Sequence, residues 1–163
     1  MGEYKRMPTI TILTTVHASP ERCFDASRDL DLHIASMGHT GERAVAGKMS
    51  GLIELGEQVT WEARHFGIRQ RFTSQITAYD RPRHFQDSML KGAFRSFVHD
   101  HYFEPSPEGT IMKDVLVFRS PFGIIGALVD GLVMARYLRR LLVQRNEIVK
   151  RAVERVRDDG AST

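Results

Sequence analysis

Residues 95–121 read RSFVHDHYFEPSPEGTIMKDVLVFRSP and contain the change of pattern that decides the fold. Both 95–104 and 110–119 are rich in β-branched and aromatic residues, which is typical of strands. The segment PSPEG between them supplies the proline and glycine that a hairpin connection favours. Ser120 and Pro121 then match the N-cap and the first position of a helix. The stretch therefore predicts a β-hairpin that leads directly into a helix.

The segments before residue 95 extend the strand pattern. We predict further strands at 9–17, 57–66, 68–79 and 84–90 from their β-rich, alternating composition. Phe66-Gly67 marks a tight turn between the second and third of these, and Asp80-Arg81-Pro82 breaks the chain before the fourth. The short spacing of these strands favours one antiparallel meander.

Two regions have helical spacing. Ser19 and Pro20 match an N-cap and a first helical position, so we predict one or two short helices over roughly 20–37. From Pro121 to about residue 157 the apolar residues recur at helical spacing, which predicts one long amphipathic helix. Its opposite face is basic and is expected to be solvated: Arg136, Arg139, Arg140, Lys150, Arg151 and Arg155. A strand, short helices, a run of strands and a long helix together predict an α+β fold.

Composition narrows the class of protein. With 163 residues the chain is expected to form a single domain, with its core at about 8–157 and a loose C-terminal tail. The net charge of +3 argues against a nucleic-acid partner. The single cysteine, Cys23, excludes an internal disulfide and is interpreted as a small buried hydrophobic residue. We find no signal-peptide pattern and expect a cytoplasmic protein. The apolar stretch 122–135 is too short to be a transmembrane segment.

The whole pattern resembles the START-related (SRPBCC) superfamily, and within it the bacterial branch of ligand-binding and cell-division-inhibitor-like proteins. The residues that carry the resemblance are Trp61, Gly67, Ile76, Asp80, Pro82, Phe85, Asp87, Gly92, Phe94, His99, His101, Phe103, Gly109, Thr110, Asp114, Pro121 and Gly123. The resemblance implies a helix-grip fold, in which a curved antiparallel sheet wraps around a long C-terminal helix and a ligand cavity lies between them. It does not imply a reaction, because one fold carries many functions.

Strand alternation places four polar side chains on the expected inner face. Phe97, His99, His101 and Phe103 point to one side of their strand, and Asp87 and Asp114 lie on the corresponding faces of the neighbouring strands. We therefore expect these two histidines and two aspartates to meet inside the fold.

Four interpretations of this cluster stay open. The pair His99 and His101 is a weak metal motif, and the resembling family is not generally metal-dependent, so we expect no metal and no cofactor. A histidine oriented by Asp87 or Asp114 would suit general acid–base catalysis, as in a polyketide cyclase or dehydratase. The cluster would equally suit a purely structural hydrogen-bonded network, or the polar end of a mainly apolar cavity.

The leading functional prediction is the binding of a small hydrophobic molecule between the sheet and the terminal helix. The alternatives are the cyclase-like enzyme and a protein-interaction module. The predicted ligand-binding residues are Trp61, Phe72, Phe85, Asp87, Met89, Phe97, His99, His101, Met112, Asp114, Leu128 and Leu132. Residues 122–131 are predicted to form part of the entrance. His65 and His84 are predicted at the surface, and His33 shows no partner pattern. A weaker alternative is that the basic face of the long helix makes peripheral contact with anionic lipid at a membrane surface.

Overall fold

The computed structural model describes residues 7–121 and 133–158, the latter without the side chains of 156–158. The elements in chain order are β1 (Thr9–Val16), α1 (Pro20–Ser27), α2 (Leu30–Ser36), a 3-10 turn (Gly38–Thr40), β2 (Arg43–Gly47), β3 (Gln58–His65), β4 (Ile68–Asp80), β5 (His84–Lys91), β6 (Ser96–Ser106), β7 (Gly109–Arg119) and α3 (Ala135–Asp158). This is the predicted α+β helix-grip architecture.

The seven strands form one antiparallel sheet in the order β1-β7-β6-β5-β4-β3-β2. Strands β2 to β7 form a meander. Strand β1 pairs with β7 at the other end of the sheet, where Ile10 lies opposite Leu116. The register shifts between Ala44 and Ala46 and again between Ile76 and Ala78. Such bulges bend strands, which helps the sheet to curve around its contents.

The hairpin of β3 and β4 turns where the sequence predicts it. Phe66 and Gly67 both have positive φ, at 51° and 75°, and His65 pairs with Ile68 across the turn. Two central residues of positive φ define a type I′ turn, whose twist matches that of the flanking strands. Val59, Trp61 and Ala63 are buried on one face of β3, as predicted. Glu62 on the opposite face is also buried, because Arg43 and Arg71 pair with it.

The two short helices also follow the prediction. Ser19 Oγ accepts a hydrogen bond from the backbone N–H of Arg22 at the start of α1. Asp29 plays the same part for α2 by accepting from the N–H groups of Asp31 and Leu32. Cys23 and Phe24 on α1 are fully buried, so the interpretation of Cys23 as a core residue is confirmed.

Helix α3 is amphipathic as predicted. Leu142, Val149 and Val153 are buried, whereas the predicted basic face is exposed apart from the half-buried Lys150. The helix packs on β1, α1 and α2. Its predicted beginning just after Pro121, Leu128 and Leu132, and the predicted entrance all fall on 122–132, outside the described residues.

Strand β2 was missing from the prediction. It pairs with β3 over Arg43–Gly47 and forms an edge of the sheet. The sequence RAVAG is short and contains two alanines, which are depleted in strands, and a bulge interrupts its alternation. No helix within the described ranges is long and apolar enough to cross a membrane.

Candidate functional site

The cross-strand register brings the four predicted polar residues together. Asp87 on β5 lies directly opposite His99 on β6, and His101 on β6 lies directly opposite Asp114 on β7. All four side chains extend from the inner face. His99, His101 and Asp114 are buried, and Asp87 is half-buried. The structure thus assembles the cluster that strand alternation predicts.

Asp114 is the hub of the cluster. Its Oδ1 atom lies 2.9 Å from Nε2 of His99 and 2.9 Å from Nδ1 of His101. On the other side of His101, Nε2 lies 3.0 Å from Oδ2 of Asp87. The second ring nitrogen of His99, Nδ1, is 3.9 Å from the same Asp87 atom, which is beyond hydrogen-bond distance.

Helix α3 holds Asp114 from the opposite side. Asn146 donates from Nδ2 to Oδ2 of Asp114 at 2.5 Å and to Oγ1 of Thr14 at 3.3 Å. Arg145 donates to the backbone carbonyl of Ser27 at 2.6 Å, and its guanidinium lies 3.9 Å from Asp114 Oδ1. Both α3 residues are buried, and the sequence analysis named neither.

The pKa values of the two histidines shift in opposite directions. Burial disfavours the charged form of His101, but hydrogen bonds to Asp114 and Asp87 outweigh burial and raise the pKa of this imidazole. For His99, burial and the nearby His101 lower the pKa, against the opposing pull of Asp114. Of the two, His101 therefore holds its proton more tightly than His99.

The pKa values of the two carboxylates shift downwards. Burial would raise the pKa of Asp114, but hydrogen bonds from His101 and His99 hold it well below the usual range. Burial likewise opposes the charge on Asp87, and the hydrogen bond from His101 lowers its pKa nevertheless. The positive charge of Arg145 also favours the ionised form of Asp87. Because Asp114 is an acceptor only, Nε2 of His99 carries the proton and Nδ1 is left as an acceptor.

A cavity of about 220 Å³ lies between the sheet, the short helices and α3. Its wall is mostly apolar, with the polar cluster on the sheet side. The predicted residues that line it are Trp61, Phe72, Phe85, Asp87, Phe97, His99 and His101. Additional apolar residues of the wall are Ile53, Val59, Ala63, Ile76, Phe94, Leu116, Leu138, Leu141 and Leu142.

Three predicted ligand-binding residues do not line this cavity. Met112 is buried on the other side of the cluster, where Ser27 Oγ lies 3.9 Å from its sulfur. Asp114 is covered by the two histidines and by Asn146, so it supports the wall without facing the cavity. Met89 is half-buried and absent from the lining within the described residues; its side chain lies against Gly92. Alternation predicts the face of a strand but not how far along it a cavity extends.

Two histidines belong to the wall against expectation. His33 on α2 lies 2.6 Å from Glu42 through Nε2, and its ring lies 4.5 Å from that of Trp61. His65 was predicted at the surface but lines the cavity, with Nδ1 2.6 Å from the hydroxyl of Tyr137 on α3. Trp61 and Tyr137 are distant in sequence from the histidines they contact, and Glu42, nine residues after His33, follows no helical or strand spacing. His84 is half-buried on the outer face, where Nε2 lies 2.7 Å from Asp100.

Arg145 and Asn146 did have a signal in the sequence. The buried face of α3 passes through Leu142, Val149 and Val153, and helical spacing puts residues 145 and 146 between them. Polar residues at core positions of a helix need buried partners. This pattern could have pointed to the aspartate that they hold.

The comparisons with known proteins agree with the fold. A family model described as "Polyketide cyclase / dehydrase and lipid transport" matches residues 7–154, which is most of the chain. The search of the curated proteins gave no significant match.

Several solved structures share this architecture at low sequence identity. Protein TTHA0849 of Thermus thermophilus has a TM-score of 0.68 and 22% identity over 89% of this chain and 99% of its own. Protein Ms6760 of Mycobacterium smegmatis has a TM-score of 0.67 and 18% identity, covering 91% and 92% of the two chains. Major latex-like protein 151 of Panax ginseng has a TM-score of 0.65 and 12% identity, covering 90% and 97%. At these identities the similarities establish the fold alone.

Proposed function

Because the chain belongs to the polyketide cyclase/dehydrase and lipid transport family of the START-related superfamily, we propose that its cavity binds a small, largely hydrophobic molecule with one polar end. The observation that carries the proposal is the cavity of about 220 Å³, whose wall is mostly apolar, with Asp87, His99 and His101 converging on the sheet side. Other polar residues, among them His33, His65 and Arg145, also reach the wall. Binding sites for small molecules typically combine such a wall with a few convergent polar groups.

The apolar part of the wall comes from both sides of the cavity. Phe72, Phe97 and Leu116 contribute from the sheet, and Leu138 and Leu142 contribute from α3. A molecule between them removes its own apolar surface from water, which is worth about 25 cal/mol for each Å² that is buried. Such a wall therefore favours an aromatic or aliphatic body over a charged one.

The size of the cavity limits the ligand. An apolar cavity of about 150 Å³ in another protein is large enough to bind benzene. A volume of about 220 Å³ therefore suits a molecule of one or two rings, or a chain of similar bulk.

The polar cluster determines which group the ligand turns towards the sheet. Asp87 is half-buried and its pKa is lowered, which favours the ionised carboxylate, and Nδ1 of His99 is left as an acceptor. Both groups therefore offer acceptors to a ligand. A ligand hydroxyl would satisfy either group by donating a hydrogen bond. Phenols and alcohols are therefore the expected class.

The test is calorimetric titration with 2-naphthol and with naphthalene, which differ only in the hydroxyl. We expect 2-naphthol to bind about 10-fold more tightly, since a hydrogen bond to a charged group contributes about 1.5–3 kcal/mol. The variant Ala63→Phe fills part of the cavity from β3 and should abolish binding of both compounds. Ala46→Phe on the exposed edge of β2 is the matched control and should leave binding unchanged.

Two results would contradict the proposal. Equal binding by wild type and Ala63→Phe would locate the compounds outside the cavity. If the wild-type protein binds neither compound, the proposal is wrong for ligands of this class.

A further inference from the structure

His99 and His101 present their ring nitrogens in the same way. Each ring has one nitrogen 2.9 Å from Oδ1 of Asp114, and its other nitrogen on the side of Asp87. From Oδ2 of Asp87, the distances to these second nitrogens are 3.9 Å for His99 and 3.0 Å for His101. The second nitrogens of both imidazoles and Oδ2 of Asp87 therefore converge on one side of the two rings. On the other side, the single carboxylate of Asp114 accepts a hydrogen bond from both imidazoles, and in this sense it backs them.

Backing of this kind is what metal-binding histidines need. A histidine that ligates a metal ion almost always donates its other ring N–H to a carboxylate or carbonyl, which fixes its tautomer and its orientation. Here Asp114 serves both rings, and Asn146 holds Asp114 in place from α3. With its proton directed towards Asp114, His99 offers the lone pair of Nδ1. His101 would offer the lone pair of Nε2 once the proton that it shares with Asp87 has left.

The distances suit one ion. One ligand atom from each of Asp87, His99 and His101 lies within 4.8 Å of the others. Ligand atoms at about 2.1 Å from a shared ion lie at most about 4.2 Å apart. The two distances from Asp87, 3.0 and 3.9 Å, already satisfy this limit. Small rotations of the side chains would bring the complete set within it.

The chemistry of the ligand atoms indicates the class of ion. Two imidazole nitrogens and one carboxylate oxygen, without a thiolate, suit a divalent first-row transition metal such as Zn²⁺ or Fe²⁺. All three residues line the cavity, so the remaining coordination positions would face its interior. When the ion binds, the proton on Nε2 of His101 leaves for the solvent, and the ion takes its place beside Asp87.

We propose that Asp87, His99 and His101 form a binding site for one divalent transition-metal ion at the polar side of the cavity, with Asp114 as the positioning residue. The sequence analysis expected no metal because a pair of histidines two residues apart is a weak motif. The proposal rests instead on the shared carboxylate behind both rings. The ion would use the same atoms of Asp87 and His99 that the proposed function offers to a ligand hydroxyl. Because the ion can be measured alone, failure of this proposal is distinguishable from failure of the proposed function.

The test is calorimetric titration of the untagged full chain, first dialysed against EDTA and then against buffer, with ZnCl₂. A parallel titration with CoCl₂ is followed by visible absorption, which reports the ligands around the ion. We expect one equivalent to bind with a micromolar or lower Kd. Asp114→Asn should weaken binding about 10–100-fold, as the loss of an outer-shell partner does elsewhere. Asp87→Asn should weaken it at least as much and change the cobalt spectrum.

The control is His84→Ala. His84 and Asp100 form a histidine–aspartate pair on the outer face of the same two strands, 2.7 Å apart, so this variant removes a comparable pair without touching the site. It should bind Zn²⁺ as the wild type does. Thermal unfolding of each variant verifies its fold, and His99→Gln replaces Asp87→Asn if the latter does not fold. The proposal is overturned if the wild type shows no saturable binding, or if the site variants bind as the wild type does.

Discussion

His99 and His101 stand two residues apart on one strand and still acquire opposite protonation tendencies. The difference arises because His101 lies between two carboxylates, whereas only one nitrogen of His99 is within hydrogen-bond distance of an aspartate. Alternation along the strands was sufficient to predict that the two histidines and two aspartates face one side. It could not reveal the contribution of Asn146, because the contact of this residue with Asp114 depends on how α3 lies over the sheet.

At the residue scale we expect Asn146→Leu to destabilise the fold by about 1–3 kcal/mol. The substitution removes a donor from the buried, ionised Asp114, and an unsatisfied buried acceptor costs about this much. Urea unfolding at neutral pH measures the change through the midpoint at constant slope. Gln144→Leu, at an exposed position of the same helix, is the control. Equal loss in both variants would mean that Asn146 does not stabilise Asp114.

At the scale of the elements, the predicted strands and short helices are confirmed. The irregular positions within the strands could not be predicted from the sequence. The bulges of β2 and β4 break the period of two on which strand prediction depends. The contact that attaches α1 to the β4–β5 turn could not be predicted from the sequence either. Asp25 on α1 accepts from Arg81 in the β4–β5 turn at 2.7 Å and from Arg28 at 3.0 Å, so one carboxylate ties the helix to a turn 56 residues away.

This attachment predicts a pH-dependent loss of stability. The hydrogen bond from Arg81 lowers the pKa of Asp25, burial opposes it, and Arg28 adds to the lowering. Since the folded pKa lies below the unfolded one, the contribution is complete above the unfolded value, near 3.8, and is lost as the pH falls through the folded pKa. Asp25→Asn should therefore be less stable than wild type from pH 7 to 5, and the difference should shrink below about pH 4.

Denaturant unfolding at a series of pH values measures this difference. Glu104→Gln, at an exposed position of β6, controls for the loss of one negative charge. If the difference in the free energy of unfolding between Asp25→Asn and wild type stays constant down to pH 2, the ionised form of Asp25 does not contribute to stability.

At the scale of the whole molecule, the order of patterns along the chain was enough for the fold class, and the family match confirms the START-related assignment. The dimensions of the cavity were not predictable, because they depend on the distance of α3 from the sheet and on the directions of side chains such as Leu138 and Leu142. For the same reason His33 and His65 could not be assigned to the wall from their positions in the chain. The roles of the cluster in binding remain predictions.

The most direct test of the central claim is to locate a bound ligand by nuclear Overhauser effects in the protein saturated with 2-naphthol. We expect contacts from the naphthol protons to the methyl groups of Leu116 on the sheet and of Leu138 and Leu142 on α3, which line opposite sides of the cavity. Contacts confined to exposed methyl groups, such as those of Leu13 and Leu90, would contradict it.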